Sequence, residues 1–172
     1  MMKKIFYAIS LLLAFSLVIT SCSKEENRAA PYEKDSETTV TPVESQNVTD
    51  FFNTTLPNDG EVSQYFFTSV SPQRDICSVV NSRAEFEAIY SGVEELPEID
   101  FEKYSLVIGM VMLSGGYRIE EFNLGKTTDA LVVNLDIRRL DGTFLTGFFP
   151  SYYWGLYEKL PKRDITMNKS VK

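Results

Sequence analysis

The sequence predicts an α+β fold: one domain, mainly antiparallel β-sheet with one packed helix at about 82–91, preceded by an N-terminal signal segment and a flexible tether. Three observations predict it. From Tyr104 onward, apolar residues form either a continuous run or a two-residue alternation, which is the strand period. Ser82-Arg83-Ala84-Glu85 is a capping box, followed by Phe86, Ile89, Tyr90 and Val93 at helical spacing. Residues 22–47 are dominated by Glu, Lys, Ser, Thr, Asn and Pro, a composition that buries too little apolar surface to offset chain entropy. The boundaries follow as 1–21 for the signal, 22–47 for the tether and 48–172 for the domain.

Taken in order, Asp50-Phe51-Phe52-Asn53 is expected to form a short helix capped by Thr49. Residues 63–69 and 75–80 are expected to be strands, separated at Pro72. The capping-box helix follows, with Gly92 where a C-cap would fall. Leu106 to Leu113 is apolar except for Gly109 and reads as a central strand covered on both faces. Ser114-Gly115-Gly116 is a turn. Tyr117 and Ile119 share one strand phase while Phe122 and Leu124 share the other, so a bulge or kink is expected near Glu120-Glu121. Leu131, Val133, Leu135 and Ile137 alternate with Val132, Asn134, Asp136 and Arg138, as in an antiparallel strand with one wet face. Asp141-Gly142 is a hairpin signal, predicting that Thr143 to Phe149 returns beside that strand until Pro150. Further strands are expected over Tyr153 to Glu158 and Ile165 to Asn168.

The N-terminus specifies an address. Lys3 and Lys4 precede an apolar stretch from Ile5 to Ile19, the layout of a secretory signal. Ser10 and Ser16 interrupt that stretch, which is short of the about 20 residues a membrane span needs. It ends in Ile19-Thr20-Ser21-Cys22, which resembles a bacterial lipoprotein signal. The resemblance implies acylation of Cys22, with chains such as palmitate, and anchoring to the outer membrane. Several acyl chains on one cysteine hold firmly where one would not. Ser23-Lys24-Glu25-Glu26 is similar to the export signal of surface-exposed lipoproteins, implying a domain that faces outward.

Charge and residue usage narrow the chemistry. The chain carries 17 Lys+Arg and 24 Asp+Glu, a net charge of −7, which becomes −9 once residues 1–21, with Lys3 and Lys4, are removed. Nucleic acid is not an expected partner of so acidic a chain. There is no histidine, which removes His-based triads, His general bases and His-ligated metals. With Cys22 acylated, Cys77 has no partner for a disulfide, and its apolar neighbours predict a packed thiol rather than a reactive one. The acid pairs Glu94-Glu95 and Glu120-Glu121 read as solvated, and Asp129, Asn134 and Asp136 lack calcium-loop spacing. No catalytic residue, metal or cofactor is expected.

The densest unusual feature is aromatic. Phe144, Phe148, Phe149, Tyr152, Tyr153, Trp154 and Tyr157 crowd one segment. They either fill the core of a small sheet or present rings to a ligand. Tyr152, Tyr153, Trp154 and Tyr157 are the candidate binding surface, for a protein or alternatively for carbohydrate or another small ligand. Adjacent tyrosines on a strand face opposite ways, so one of Tyr152 and Tyr153 is a candidate for exposure.

Asp100-Phe101-Glu102-Lys103-Tyr104 leads into the apolar run and then Ser114-Gly115-Gly116-Tyr117. With Glu85-Phe86 in the helix and Leu160-Pro161-Lys162 near the end, this pattern over about 79–162 resembles the C-terminal domain of the PrcB-like lipoproteins, a family of protease-complex components. The resemblance implies a non-catalytic accessory domain whose partner is a protease or another envelope protein. Trp154-Gly155-Leu156-Tyr157 and the tail beyond Pro161 depart from that pattern.

Overall fold

A computed structural model of the chain describes residues 36–57, 65–69, 74–142 and 146–172. The element order is β1 (Thr38–Val40), α1 (Gln46–Thr55), β2 (Ile76–Val80), α2 (Arg83–Ile89), β3 (Tyr104–Ser114), β4 (Tyr117–Lys126), β5 (Ala130–Arg139), β6 (Phe148–Glu158) and β7 (Asp164–Val171). The strands form two sheets, in the orders β1-β4-β5-β7 and β2-β3-β6. All pairings are antiparallel except β5 with β7. The expected α+β class is the one observed, and residues 35–172 form one compact unit.

Two hydrophobic clusters divide the interior into three layers. Val107, Val111 and Leu113 of β3, with Tyr153 and Tyr157 of β6, meet Leu124, Leu131, Val133, Leu135 and Ile137 of the other sheet. Leu106, Ile108 and Met110 of β3 face the opposite way, against Val48, Phe51 and Phe52 of α1 and Phe86 of α2. Both faces of β3 are therefore covered, which is why its sequence is apolar without alternation.

Local chemistry sets the ends of α2. The Ser82 side chain accepts from the Glu85 N–H at 3.2 Å. Glu85 reaches back to the Asn81 N–H at 2.6 Å and also meets Lys162 at 2.5 Å. The Lys162 hydrogen bond is the main reason the Glu85 carboxyl sits below its ordinary pKa. Ser82→Ala removes the acceptor and should lower the stability of the unit by about 1 kcal/mol, whereas Ser82→Gly should cost only a few tenths. Urea midpoints of the two variants check this, and equal midpoints for Ser82→Ala and wild type would remove the cap from the account.

Several expectations are corrected. Gly92 is not the C-cap: the chain turns extended at Tyr90, which forms an isolated bridge with Phe67. The first helix is longer than expected and its N-cap is Ser45, not Thr49. The described part of 63–69 contributes that single bridge rather than a strand. The tether does not extend to 47, because Thr38–Val40 pairs with Leu124–Lys126 and Pro42 bridges Tyr157. Val40 packs against the inter-sheet cluster and Val43 against the helix cluster, so two aliphatic residues and backbone hydrogen bonds suffice to dock a polar segment.

The hairpin expected at Asp141-Gly142 does not form. Gly142 has φ +79°, as a turn requires, but β6 joins β3 in the other sheet. Pro150 lies inside β6 opposite Met112 instead of ending a strand. It is tolerated because β6 is at the edge of its sheet. The bulge is where the phase change predicted it: the β4–β5 register shifts between Ile119 and Glu121. The strand expected at Ile165 to Asn168 is β7, at the edge of its sheet and parallel to β5.

Candidate functional site

Cys22 and Glu25-Glu26 lie outside the described residues. The aromatic segment lies within them from Phe148 onward, on β6, while Phe144 lies outside the described residues. Successive residues there point to opposite faces, and from Tyr152 to Tyr157 both faces pack against a hydrophobic cluster. Tyr153 and Tyr157 are buried between the sheets. Phe122 packs against both, with ring centroids 4.8 Å and 6.4 Å away. Tyr152 and Trp154 are half-buried against the helix layer. The Tyr152 hydroxyl accepts from the Phe66 N–H at 3.2 Å, and Trp154 stacks on Phe52 at 4.5 Å. Of the four candidate residues, Tyr153 and Tyr157 are thus buried between the layers, and Tyr152 and Trp154 are half-buried.

Electrostatics agree with packing. Burial pushes the Tyr157 hydroxyl up to about 12 and the Tyr153 hydroxyl further still. Tyr153 donates to the Ile76 carbonyl at 3.4 Å. Burial also raises the Cys77 thiol, partly offset by its hydrogen bond to Tyr153. A thiol raised in this way stays protonated near neutral pH and is a poor nucleophile. Buried Ser105 is tied into the structure as well: it donates to Asn81 at 2.5 Å and accepts from the Leu160 N–H at 2.8 Å.

Glu94, Glu120 and Glu121 of the acid pairs have local partners. Tyr90 donates to Glu94 at 2.5 Å, Arg138 meets Glu120 at 3.0 Å, and Asn123 donates to Glu121 at 2.9 Å. Lys172 meets Asp136 at 2.5 Å, and Asn134 donates to Glu37. Among the described residues, no three His, Cys, Asp or Glu side chains are grouped to hold a metal, and no helix is long and apolar enough to cross a membrane.

Ser114-Gly115-Gly116 is a sheet-changing corner. Gly116 has φ +91°, and its carbonyl accepts from the Leu140 N–H at 2.6 Å. The Gly115 N–H donates to the Gly147 carbonyl at 3.0 Å. The strand ends gathered here leave a groove of about 270 Å³ lined mainly by Met112, Leu113, Tyr117, Ile137 and Val171. Phe148 stands opposite Ser114 in the register and is 68% exposed, and Val171 is 62% exposed. A second cleft of about 360 Å³ lies between the end of α1 and Tyr90 to Glu94. Sequence reading did not single out the groove, since its residues come from four strands. The only signal was an apolar residue at each strand end. No family model, curated protein or solved structure matches this chain.

Proposed function

We propose that this chain is a lipid-anchored envelope protein, acylated at Cys22, held at the outer membrane and facing outward. Its β-rich domain is a non-catalytic module that binds a partner protein, in the manner of a PrcB-like protease accessory. The observation that carries the address is Ile19-Thr20-Ser21-Cys22 behind Lys3, Lys4 and an apolar segment too short to span a bilayer. Residues 22–35 supply a polar tether that could extend at most about 50 Å. Two things support the non-catalytic reading: the chain contains no histidine, and its single non-lipidated thiol is held protonated by burial. The accessory role rests on Asp100-Phe101, the apolar strand and Ser114-Gly115-Gly116-Tyr117.

Cys22→Ser should move the protein from the membrane fraction to the soluble fraction of the envelope. Retention in the membrane fraction would overturn the anchor. Purification of the wild-type lipoprotein in mild detergent tests the module: a stoichiometric protease or other envelope protein is expected to accompany it. Recovery as a lone monomer counts against the accessory role.

A further inference from the structure

We propose that β7 is a self-association edge: two copies of this chain pair their β7 strands antiparallel across a two-fold axis at Asn168, joining their four-stranded sheets into one. The proposal is independent of the accessory reading above, because a paired β7 leaves the choice of any other partner open.

The four outermost strands are not alike. β1 has three residues and β2 five. β6 carries Pro150, and its far end is met by Pro42 and Val43, with the Val43 N–H donating to the Leu156 carbonyl at 2.6 Å. Short strands, prolines and covering segments are the usual guards of a sheet edge. β7 has eight residues, no proline and an unbroken register with β5. Among the described residues it pairs with β5 alone.

The direction of the hydrogen bonds identifies the free groups. The Lys172 N–H donates to the Ile137 carbonyl at 2.9 Å, and the Lys172 carbonyl accepts from the Arg139 N–H at 3.3 Å. Both backbone groups of Lys172 therefore face β5, and by alternation so do those of the even-numbered residues of β7. The N–H and C=O groups of Ile165, Met167, Lys169 and Val171 point outward. With Asn168 opposite its own copy, Ile165 faces Val171 and Met167 faces Lys169. Each such pair exchanges two hydrogen bonds, so every outward N–H and C=O group of both copies finds a partner.

Side chains favour the same register. Ile165 is half-buried and Val171 is 62% exposed, whereas Leu131 and Ile137 beside them in β5 are 0% and 2% exposed. Setting Ile165 against Val171 of the second copy covers apolar surface that a single copy leaves wet. On the other face, Asn123, Asn134 and Asn168 stand in one row across β4, β5 and β7. Asn168 donates to Asn134 at 2.9 Å, which leaves its amide oxygen and a second N–H without a described partner. At a non-hydrogen-bonded pair the Cα atoms are about 4.5 Å apart, so the two Asn168 amides meet and exchange two hydrogen bonds. Asp164 faces Lys172 of the second copy, and no like charges stand directly opposite. Lys172 keeps its own Asp136, so the ladder, the amide pair and the apolar pair carry the register rather than this charge. Centring the axis on Met167 would instead set Asn168 against Thr166 and Lys169 against Ile165. A strand of another protein would satisfy the backbone alone; self-matching side chains are what a two-fold interface requires.

The test uses the full lipoprotein in mild detergent. Sedimentation should give the mass of two copies. Lys169→Pro removes an outward N–H and leaves the bonds to β5, so it should sediment as one copy with unchanged circular dichroism. Asn168→Cys, oxidised with copper–phenanthroline, should run as a disulfide-linked dimer on a non-reducing gel, which the parent chain should not. Thr166→Cys and Ser170→Cys should not link when oxidised singly, since each lies about 13 Å from its own copy along the ladder. Mixed together they should link, because 166 faces 170. A wild-type chain that sediments as one copy, a dimer that persists in a folded Lys169→Pro, or equal linking at the three positions overturns the proposal. If Lys169→Pro fails to fold, the cysteine series decides. Linkage of Asn168→Cys to a different protein assigns the edge to that protein and overturns self-pairing too. A co-purifying protease alters none of these readouts, so either reading can fail without the other.

Discussion

Gly109→Ala is expected to destabilise the domain by about 2–3 kcal/mol, although it adds one methyl group to the middle of the most apolar strand. Gly109 lies in β3, opposite Cys77 of β2 and Tyr153 of β6. The Tyr153 ring crosses over it, so a Cβ there would overlap the phenol tip and stand 2.6 Å from the Ile76 carbonyl oxygen. The phenol could swing away only by giving up its hydrogen bond to that same carbonyl. The carbonyl belongs to a paired strand and has little room to yield. Glycine is therefore required here by close approach, since its φ is not in the left-handed region. Urea denaturation of Gly109→Ala, Tyr153→Leu and the double variant would measure the coupling. The double variant should be less unstable than the two single costs added together, because removing the ring removes part of the clash. Simple additivity would show that the two residues do not compete for the same space.

Which features were legible follows from how locally they are encoded. The Ser82 cap, the Glu120 bulge and the run of β3 are each written within a few residues, and each is found in the structure. The destination of β6 is not local. Asp141-Gly142 carries a hairpin signature, and a turn does occur there, but a turn residue specifies a backbone angle and not the sheet that receives the next strand. The opposed orientation of Tyr152 and Tyr153 was likewise correct. Tyr153 is buried and Tyr152 half-buried, because β6 belongs to the middle of three layers. Nothing between 144 and 157 announces the helix layer that covers Tyr152 and Trp154. That information sits some hundred residues upstream, in Phe51 and Phe52. Val40 and Val43 show the same limit from the other side: two aliphatic residues in a polar stretch do not look like a strand until β4 and β6 offer edges to receive them. The groove at the strand ends was legible only as isolated apolar residues at strand termini, and formed once Met112, Tyr117, Ile137 and Val171 were brought together.

The same layering yields the largest expected effect, Phe52→Ala, at about 3–5 kcal/mol. Phe52 is 1% exposed. It stacks on Trp154 at 4.5 Å and on Phe86 at 6.2 Å, and it meets Phe66 at 5.7 Å and Phe51 at 5.2 Å. One ring therefore joins α1, α2, the 65–67 segment and β6. Truncation removes its transfer free energy and leaves a cavity among rigid rings that cannot close by small rotations. For a domain of this size the loss is a large share of the whole stability. Trp154 is the only tryptophan in the chain, so its emission reports on this contact directly. Phe52→Ala should shift that emission to the red as water approaches the indole, and the urea midpoint should drop in the same samples. Phe148→Ala is the matched control: an equally large ring from a mostly exposed position, expected to change stability by no more than about 0.5 kcal/mol. The control also separates buried from exposed aromatic positions. Loss of stability at Phe52 without loss at Phe148 would locate cohesion in the buried rings packed on β6. A Phe52→Ala variant that unfolds at the wild-type urea concentration would break that division, because the rings of β6 would then be dispensable to packing.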